Sequence, residues 1–420
     1  MPSTTEGARS LVEELTAFDE FGTPTGVGVT EVDGPSGRVS VDTFTNEFWT
    51  SKQRAANRLH EISYRACFKP QLPRFFIDRL TAAGDVVHDP FMGRGTTPLE
   101  AALAGRVPFG CDINPLSEML VAPRLRPPTL EDVEARLAEI DFRAPVSSDS
   151  GAPTREELLV FYHPETLDEL TALRTYLLDR DASGELDDID RWVRMVAVNR
   201  LTGHSSGFFS VYTMPPNQAV SVDSQRKINE RRRQTPSRRI VPDLIQRKSR
   251  ALMAGLAEAE RATLEAASEH SKLLTAPAAA SPDIGAASVA LVVTSPPFLD
   301  VVDYVRDNWL RCWFCGISAD EVPVTVVHDL SAWQEAMSDV FLELVRVLRP
   351  GGHIAFEVGE VRAGTVRLEE AVLPCGLQAG LEPVLVLIND QEFTKTANCW
   401  GVSNRSKGTN TNRVVLFRRR

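Results

Sequence analysis

The chain has 420 residues, of which 43% are hydrophobic and 25% charged, a composition that excludes a disordered chain, a collagen-like fibre and a disulfide miniprotein. No run of about 18 apolar residues occurs, so no membrane helix is expected, and the N-terminal MPSTTEGARSLVEELTAFDE lacks the basic and apolar regions of a signal peptide. Six cysteines are too few for a disulfide scaffold at this length and predict a reduced, cytoplasmic setting. The net charge of −11 speaks against a nucleic-acid partner only on average, because the positive charge is concentrated in one segment.

Residues 1–43, with Gly22, Pro24, Gly26, Gly28, Gly34, Pro35 and Gly37, predict a mobile arm. From Phe44 to Leu80 the pattern is helical and apolar. A strand from Asp85 to Asp89, a glycine turn, a helix through EAALAG and a strand from Val107 to Asp112 then form a β-turn-α-β unit of the doubly wound kind. Residues 126–284 predict a mostly helical insertion. It holds a helix near 130–140, a capping-box start at Thr154 with Glu157, leucines at helical spacing over 164–180, a helix at 188–201 and one long helix near 242–274. Residues 285–420 open with the apolar strand Val289–Val293, which reads as a buried parallel strand. Helices over 301–314 and 331–348 follow, then strands at 353–358, 384–389 and 413–418. The two α/β pieces, 44–125 and 285–420, are expected to share one sheet.

The glycine turn reads Asp89-Pro90-Phe91-Met92-Gly93-Arg94-Gly95-Thr96-Thr97. Gly93 and Gly95 allow positive φ and close backbone approach to a ligand, and the following helix start offers free N–H groups. Asp112, at the tip of the next strand, occupies the position where a carboxylate takes two ribose hydroxyls. Together these predict a pocket for an adenosine-containing cofactor; the missing third glycine weakens a dinucleotide, and no Gly-Lys-Ser/Thr follows to cradle phosphate.

The second signal is Thr294-Ser295-Pro296-Pro297-Phe298, directly after the apolar strand. Two prolines stiffen the backbone and remove two donors. The carbonyls of Ser295 and Pro296 and the Ser295 hydroxyl can then grip the hydrogens of an amino group whose ring stacks on Phe298. Each neutral hydrogen bond contributes only about 1 kcal/mol net and stacking about 1–3 kcal/mol, so alignment of the reactants would supply most of the rate.

These two motifs resemble those of the amino-methylating DNA methyltransferases, which use S-adenosylmethionine. The resemblance covers residues 45–125 and 285–420. It implies an α/β, mainly parallel, seven-stranded Rossmann-like sheet with one antiparallel strand near the C-terminus. It assigns the cofactor to Phe68, Lys69, Pro70, Asp89, Pro90, Phe91, Gly93, Gly95, Thr96, Thr97, Asp112, Ile113 and Thr294, and catalysis to Ser295, Pro296, Pro297 and Phe298. The tail GTNTNRVVLFRR looks like the closing hairpin strand of such enzymes. The Ser-Pro-Pro form points to cytosine N4 rather than adenine N6, and base flipping is implied because an amine inside a duplex cannot reach the donor. The pattern departs at Arg94, at Phe298 where Tyr is usual, and before the catalytic strand, where no clear acid stands for the cofactor adenine and Asp283 is the nearest candidate. An adenine N6 enzyme, an RNA base methyltransferase and a catalytically weak DNA-binding relative are the competing readings. A restriction or phage-defence setting, with a homodimer or a defence-system partner protein, is compatible with the resemblance.

Residues 225–250 hold ten cations and two anions, a net +8 that leaves −19 for the rest. Arg226, Lys227, Arg231, Arg232, Arg233, Arg238, Arg239, Arg247 and Lys248 are therefore expected to contact double-stranded DNA. Phe208, Phe209 and Tyr212 read as core first and as a flipped-base pocket second. Cys312-Trp313-Phe314-Cys315 has CxxC spacing but no second pair at zinc-site distance, so no metal is expected.

Overall fold

The computed structural model describes residues 11–49, 56–64, 68–144, 153–214, 219–297, 304–318, 322, 329–361, 366–390 and 411–420. Its centre is one sheet of nine strands, β1 (Gly26–Gly34), β2 (Gly37–Asn46), β3 (Val86–Asp89), β4 (Val107–Asp112), β5 (Lys272–Thr275), β6 (Val289–Thr294), β7 (Leu348–Val358), β8 (Glu382–Asp390) and β9 (Thr411–Arg418). The strand order is β1-β2-β8-β9-β7-β6-β3-β4-β5. All pairings from β7 through β6, β3 and β4 to β5 are parallel, and β9 runs antiparallel between β7 and β8.

The seven strands from β8 to β5 are the arrangement expected. The sheet has nine because the first two come from the segment read as a mobile arm. Residues 26–46 fold into an antiparallel hairpin whose second strand pairs in parallel with β8, Phe44 opposite Leu387. The outer strand escapes pattern reading because it is exposed over most of its length, with Val27 and Val29 facing out, so no apolar alternation marks it. Phe44 itself is strand; a single 3-10 turn at Arg58–His60 and the helix α1 (Gln71–Leu80) are the helical parts of this stretch among the described residues.

The strand β6 is buried at every position, as its unbroken apolar sequence requires of a central parallel strand. The helix α2 (Thr96–Leu103) follows the glycine turn and α3 (Leu116–Leu125) follows β4. The insertion carries α4 (Leu130–Glu139), α5 (Pro164–Ala182), α6 (Asp188–Val198), α7 (Val222–Arg232), α8 (Val241–Met253) and α9 (Glu258–Ser268). The capping box at Thr154 and Glu157 forms, and equivalent boxes start α4 and α6. The single long helix expected near 242–274 is two helices, broken where Gly255 takes φ +86, and then the short edge strand β5. Four residues are too few for a period-2 signal, which is why β5 does not stand out from the helical pattern before it. α10 (Tyr304–Cys315), α11 (Leu330–Val347) and α12 (Leu368–Gln378) complete the second α/β piece.

The insertion helices share one apolar cluster with α2 and α3, including Leu99, Leu120, Val121, Trp192, Phe209 and Leu244. At about 1.5–3 kcal/mol per fully buried large apolar side chain, this packing fixes the insertion on the sheet. No described helix is long and apolar enough to cross a membrane.

Candidate active site at neighbouring strand tips

β3 and β6 are adjacent, with His88 opposite Val292, so the turns leaving their C-terminal ends emerge side by side. The contact is direct. The Thr294 hydroxyl donates to Asp89 Oδ1 at 2.6 Å, and the Thr97 hydroxyl donates to the Val293 carbonyl at 3.0 Å. Two motifs some 200 residues apart in sequence therefore share a hydrogen-bonded seam. Asp89 is fully buried; burial pushes its carboxyl up to about 7, against the pull of Thr294, the Phe91 N–H and Thr97.

The glycine turn is shaped by backbone geometry. Gly93 and Gly95 have φ +47 and +75, and Gly95 caps α2 in the left-handed region. A Cβ on Gly95 would fall 2.2 Å from Val121 Cγ2, so α3 closes directly on this residue. Asp112 accepts the Gly93 N–H at 2.9 Å on one oxygen and the Asn114 N–H at 2.9 Å on the other. Ser117 also pulls on this carboxylate, whose four lone-pair sites leave capacity for a further donor.

Arg94, the odd residue of the turn, points into the protein. It is buried, and its guanidinium donates to the carbonyls of His60 and Ile62 at 3.3 and 3.2 Å. It pins residues 60–64 across the turn, where the Tyr64 ring lies 3.5 Å from where a Gly93 Cβ would be. Phe68 and Phe91 are half-buried, Pro70 is buried, and Phe76 sits wholly in the core beneath α1.

At the second turn, Pro296 is buried, Pro297 exposed and Ser295 between them; Phe298 lies outside the described residues. The Pro297 carbonyl is engaged by the Trp333 indole N–H at 2.9 Å, which fixes the turn from α11. Sequence reading missed Glu357. It lies on β7 one residue beyond Phe356, the partner of Thr294, and is fully buried. It hydrogen-bonds the Ser295 hydroxyl and accepts from Asn412 Nδ2 at 2.9 Å. Burial pushes its carboxyl up to about 7, while Ser295 and Asn412 pull it down. A lone acid inside the apolar run Ile354–Val358 was the signal available.

Asp283 does not stand at the strand tips. It is exposed, and its carbonyl accepts Lys272 Nζ at 2.6 Å, which places it by the N-terminal end of β5, away from the strand tips. Where the chain leaves β5, Ala276 and Pro277 stand instead, with the Ala276 carbonyl taken by Cys111 Sγ at 3.0 Å.

The basic segment divides. Arg226 pairs with Asp223, Arg238 with Glu165 and Glu169, Lys248 with Glu61 and Arg250 with Glu134. Arg239 is half-buried against α5, its N–H donating to Thr166 Oγ1. Lys227, Arg231, Arg232, Arg233 and Arg247 are exposed and make no ion pair among the described residues, and Arg232 lies 3.7 Å over the Tyr212 ring. Phe208 and Phe209 are buried. Cys312 and Cys315 are buried one turn apart on α10, and burial pushes their thiols up to about 11 and about 12.

Glu357 carries a stability signature. Its pKa is raised in the fold from 4.5 to about 7, so its contribution is complete below about 4.5 and is lost as pH rises through about 7. Buried His88 and His353, held down near 4, act with the opposite sign. The readout is therefore the melting-temperature difference between Glu357→Gln and wild type, expected to shift in favour of the variant from pH 5 to pH 8. A pH-independent difference contradicts the assignment.

Residues 30–118 match the family model described as DNA methylase, N6_N4_Mtase. The chain is 26% identical over 143 residues to the Type II methyltransferase M.MjaII of Methanocaldococcus jannaschii, covering 32% of this chain and 27% of that protein. It is 29% identical over 96 residues to the Type II methyltransferase M.MvaI of Kocuria varians, covering 22% and 21%. It thus spans about a quarter of the length of the curated relatives it matches. Among solved structures, a putative DNA modification methylase from Thermus thermophilus, complexed with S-adenosyl-L-methionine, aligns with TM-score 0.21 and 20% identity over 32% of this chain and 49% of that one. The geranyl diphosphate C-methyltransferase of Streptomyces coelicolor A3(2) aligns over 100% and 99% with TM-score 0.34 and 10% identity. The residues matched by that family model include the glycine turn and Asp112.

Proposed function

We propose that the chain is a DNA amino-methyltransferase that transfers a methyl group from S-adenosylmethionine to the exocyclic amine of a flipped base, cytosine N4. The observation that carries this reading is the Thr294–Asp89 hydrogen bond, which ties the Ser-Pro-Pro turn to the glycine turn. The residues fit the cofactor: Gly93 and Gly95 hold the turn in the left-handed region, and Asp112, at the tip of β4, keeps accepting capacity for a ribose hydroxyl. When bound, S-adenosylmethionine supplies an electrophilic methyl group.

The protein's part is to hold the amine and receive its proton. The carbonyl of Ser295 or Pro296 accepts one amine hydrogen. The Ser295 hydroxyl accepts the other while donating its own hydrogen to Glu357. As the nitrogen gains a methyl group it sheds one proton, which passes to Ser295 Oγ as the serine proton moves to the Glu357 carboxylate. The carboxylate must therefore start ionised. Glu357 acts through Ser295 and is a positioning residue rather than a group in contact with the base.

The test is incubation with labelled cofactor and duplex DNA, then tRNA, followed by chromatography of the nucleosides. N4-methylcytosine from DNA is expected; label in tRNA alone would overturn the DNA assignment, and N6-methyladenine the choice of base. Ser295→Ala and Pro297→Ala should lower methyl transfer more than cofactor affinity, and equal losses would count against the catalytic assignment. The Lys227, Arg231, Arg232, Arg233 and Arg247 cluster is the proposed DNA-facing surface. Replacing Arg231, Arg232 and Arg233 by Ala should lower the slope of log affinity against log salt by about 2.7, at about 0.9 per phosphate contact.

A further inference from the structure

Outside the two turns, Arg200 and Lys248 are two largely buried cations that share one nearby carboxylate, Glu61. Arg200 leaves the end of α6, and its guanidinium stacks 4.1 Å over the Phe208 ring. Its Nε donates to the Asn199 carbonyl at 2.8 Å, and no carboxylate bonds it among the described residues. The ring beneath is fixed: a Cβ on Gly203 would lie 2.4 Å from Phe208, so ring and backbone are already in contact. The guanidinium is thus preorganised and largely desolvated, and burial pushes its pKa down to about 10.

Lys248, on α8, faces the same place. Its side chain is 12% exposed, and its one ion-pair partner among the described residues is Glu61, 3.7 Å away and 55% exposed. Burial first, and Arg200 second, push the ammonium down to about 8. Two cations held close, against one loosely placed carboxylate, cost stability unless an anion joins them. The pair also adjoins the site. The Asn199 side chain accepts the Ser63 N–H at 2.7 Å, and Ser63 precedes Tyr64, which abuts Gly93.

We infer that Arg200 and Lys248 form a seat for a phosphodiester group of the nucleic-acid strand that carries the target base. S-adenosylmethionine carries a carboxylate but no phosphate, and the cofactor affinity of the variants below separates that carboxylate from a strand phosphate. The inference rests on the DNA reading above, and it adds Arg200, which lies outside the basic segment.

The test uses the full chain and a fluorescent duplex oligonucleotide, with affinity measured by anisotropy across a salt series. Arg200→Gln and Lys248→Gln should each lower the log–log salt slope by about 0.9 and together by about 1.8, while Arg200→Lys keeps the wild-type slope. Cofactor affinity by calorimetry should not change. A purely structural role would lower the melting temperature and leave the slope alone, which overturns the inference. Inorganic phosphate is the second arm: if it stabilises wild type but not the double variant while the DNA slope is unchanged, the seat serves free phosphate and the strand assignment fails. A wild-type chain that binds no DNA at all would sink the underlying reading instead, a result distinct from an unchanged slope.

Discussion

Glu357→Gln is expected to lower kcat for methyl transfer by about 100-fold or more, the range a positioned proton acceptor supplies. Cofactor affinity should hold within about threefold, because the carboxyl touches Ser295 and Asn412 rather than the glycine turn. The glutamine fills the same volume and can still accept from Asn412, but it cannot take a proton. The pH profile separates this from mere misplacement of Ser295. Wild-type kcat should climb to a plateau above about 7, where the carboxylate forms, and the variant should lose that step. Full activity in the variant, or a wild-type profile flat from pH 6 to pH 8, sinks the proposed relay. The same protonation that stabilises the fold silences the reaction, so activity and stability should move apart across this range.

Gly95→Ala should lower cofactor affinity by at least about tenfold, or about 1.4 kcal/mol. Two costs add. A left-handed backbone costs an ordinary residue about 1–2 kcal/mol, and Gly95 has φ +75. The new methyl would also lie 2.2 Å from Val121 Cγ2, inside any allowed contact. Since Gly95 caps α2, the relief is a shift of the turn and its free N–H groups together. Adding Val121→Ala should recover part of the loss, the share due to the clash. Gly93→Ala should cost less, because its Cβ would meet Tyr64 at an ordinary 3.5 Å. Calorimetric titration decides the matter, and equal affinities for wild type and Gly95→Ala would remove this turn from the cofactor site.

Sequence patterns located the central strands because each carries a strong local signature. Val289–Thr294 is apolar throughout, and Val86–Asp89 runs into two glycines. The helices of the insertion announced themselves by caps at Thr154 and by leucine spacing over 164–180. What escaped was set by pairing rather than by local pattern. The outer hairpin and the four residues of β5 become strands only through their neighbours, Phe44 with Leu387 and Phe109 with Lys272. Glu357 was hidden for a related reason: its meaning depends on β7 lying beside β6, so that a carboxyl meets Ser295 across the sheet. The basic segment was legible as charge, but the division into cations tied to Glu165 or Asp223 and cations left open required the fold.

Val121, which closes on Gly95, belongs to the same apolar cluster as Trp192 and Leu244 of the insertion. A chimera that exchanged residues 126–270 for the counterpart of a relative would strip the backing from the very helix that presses on the glycine turn. On the proposed function, with the insertion as the region that meets the target, target preference is thus not a detachable cassette. New specificities would have to accumulate by single changes on its outer face, with the inner face inherited intact.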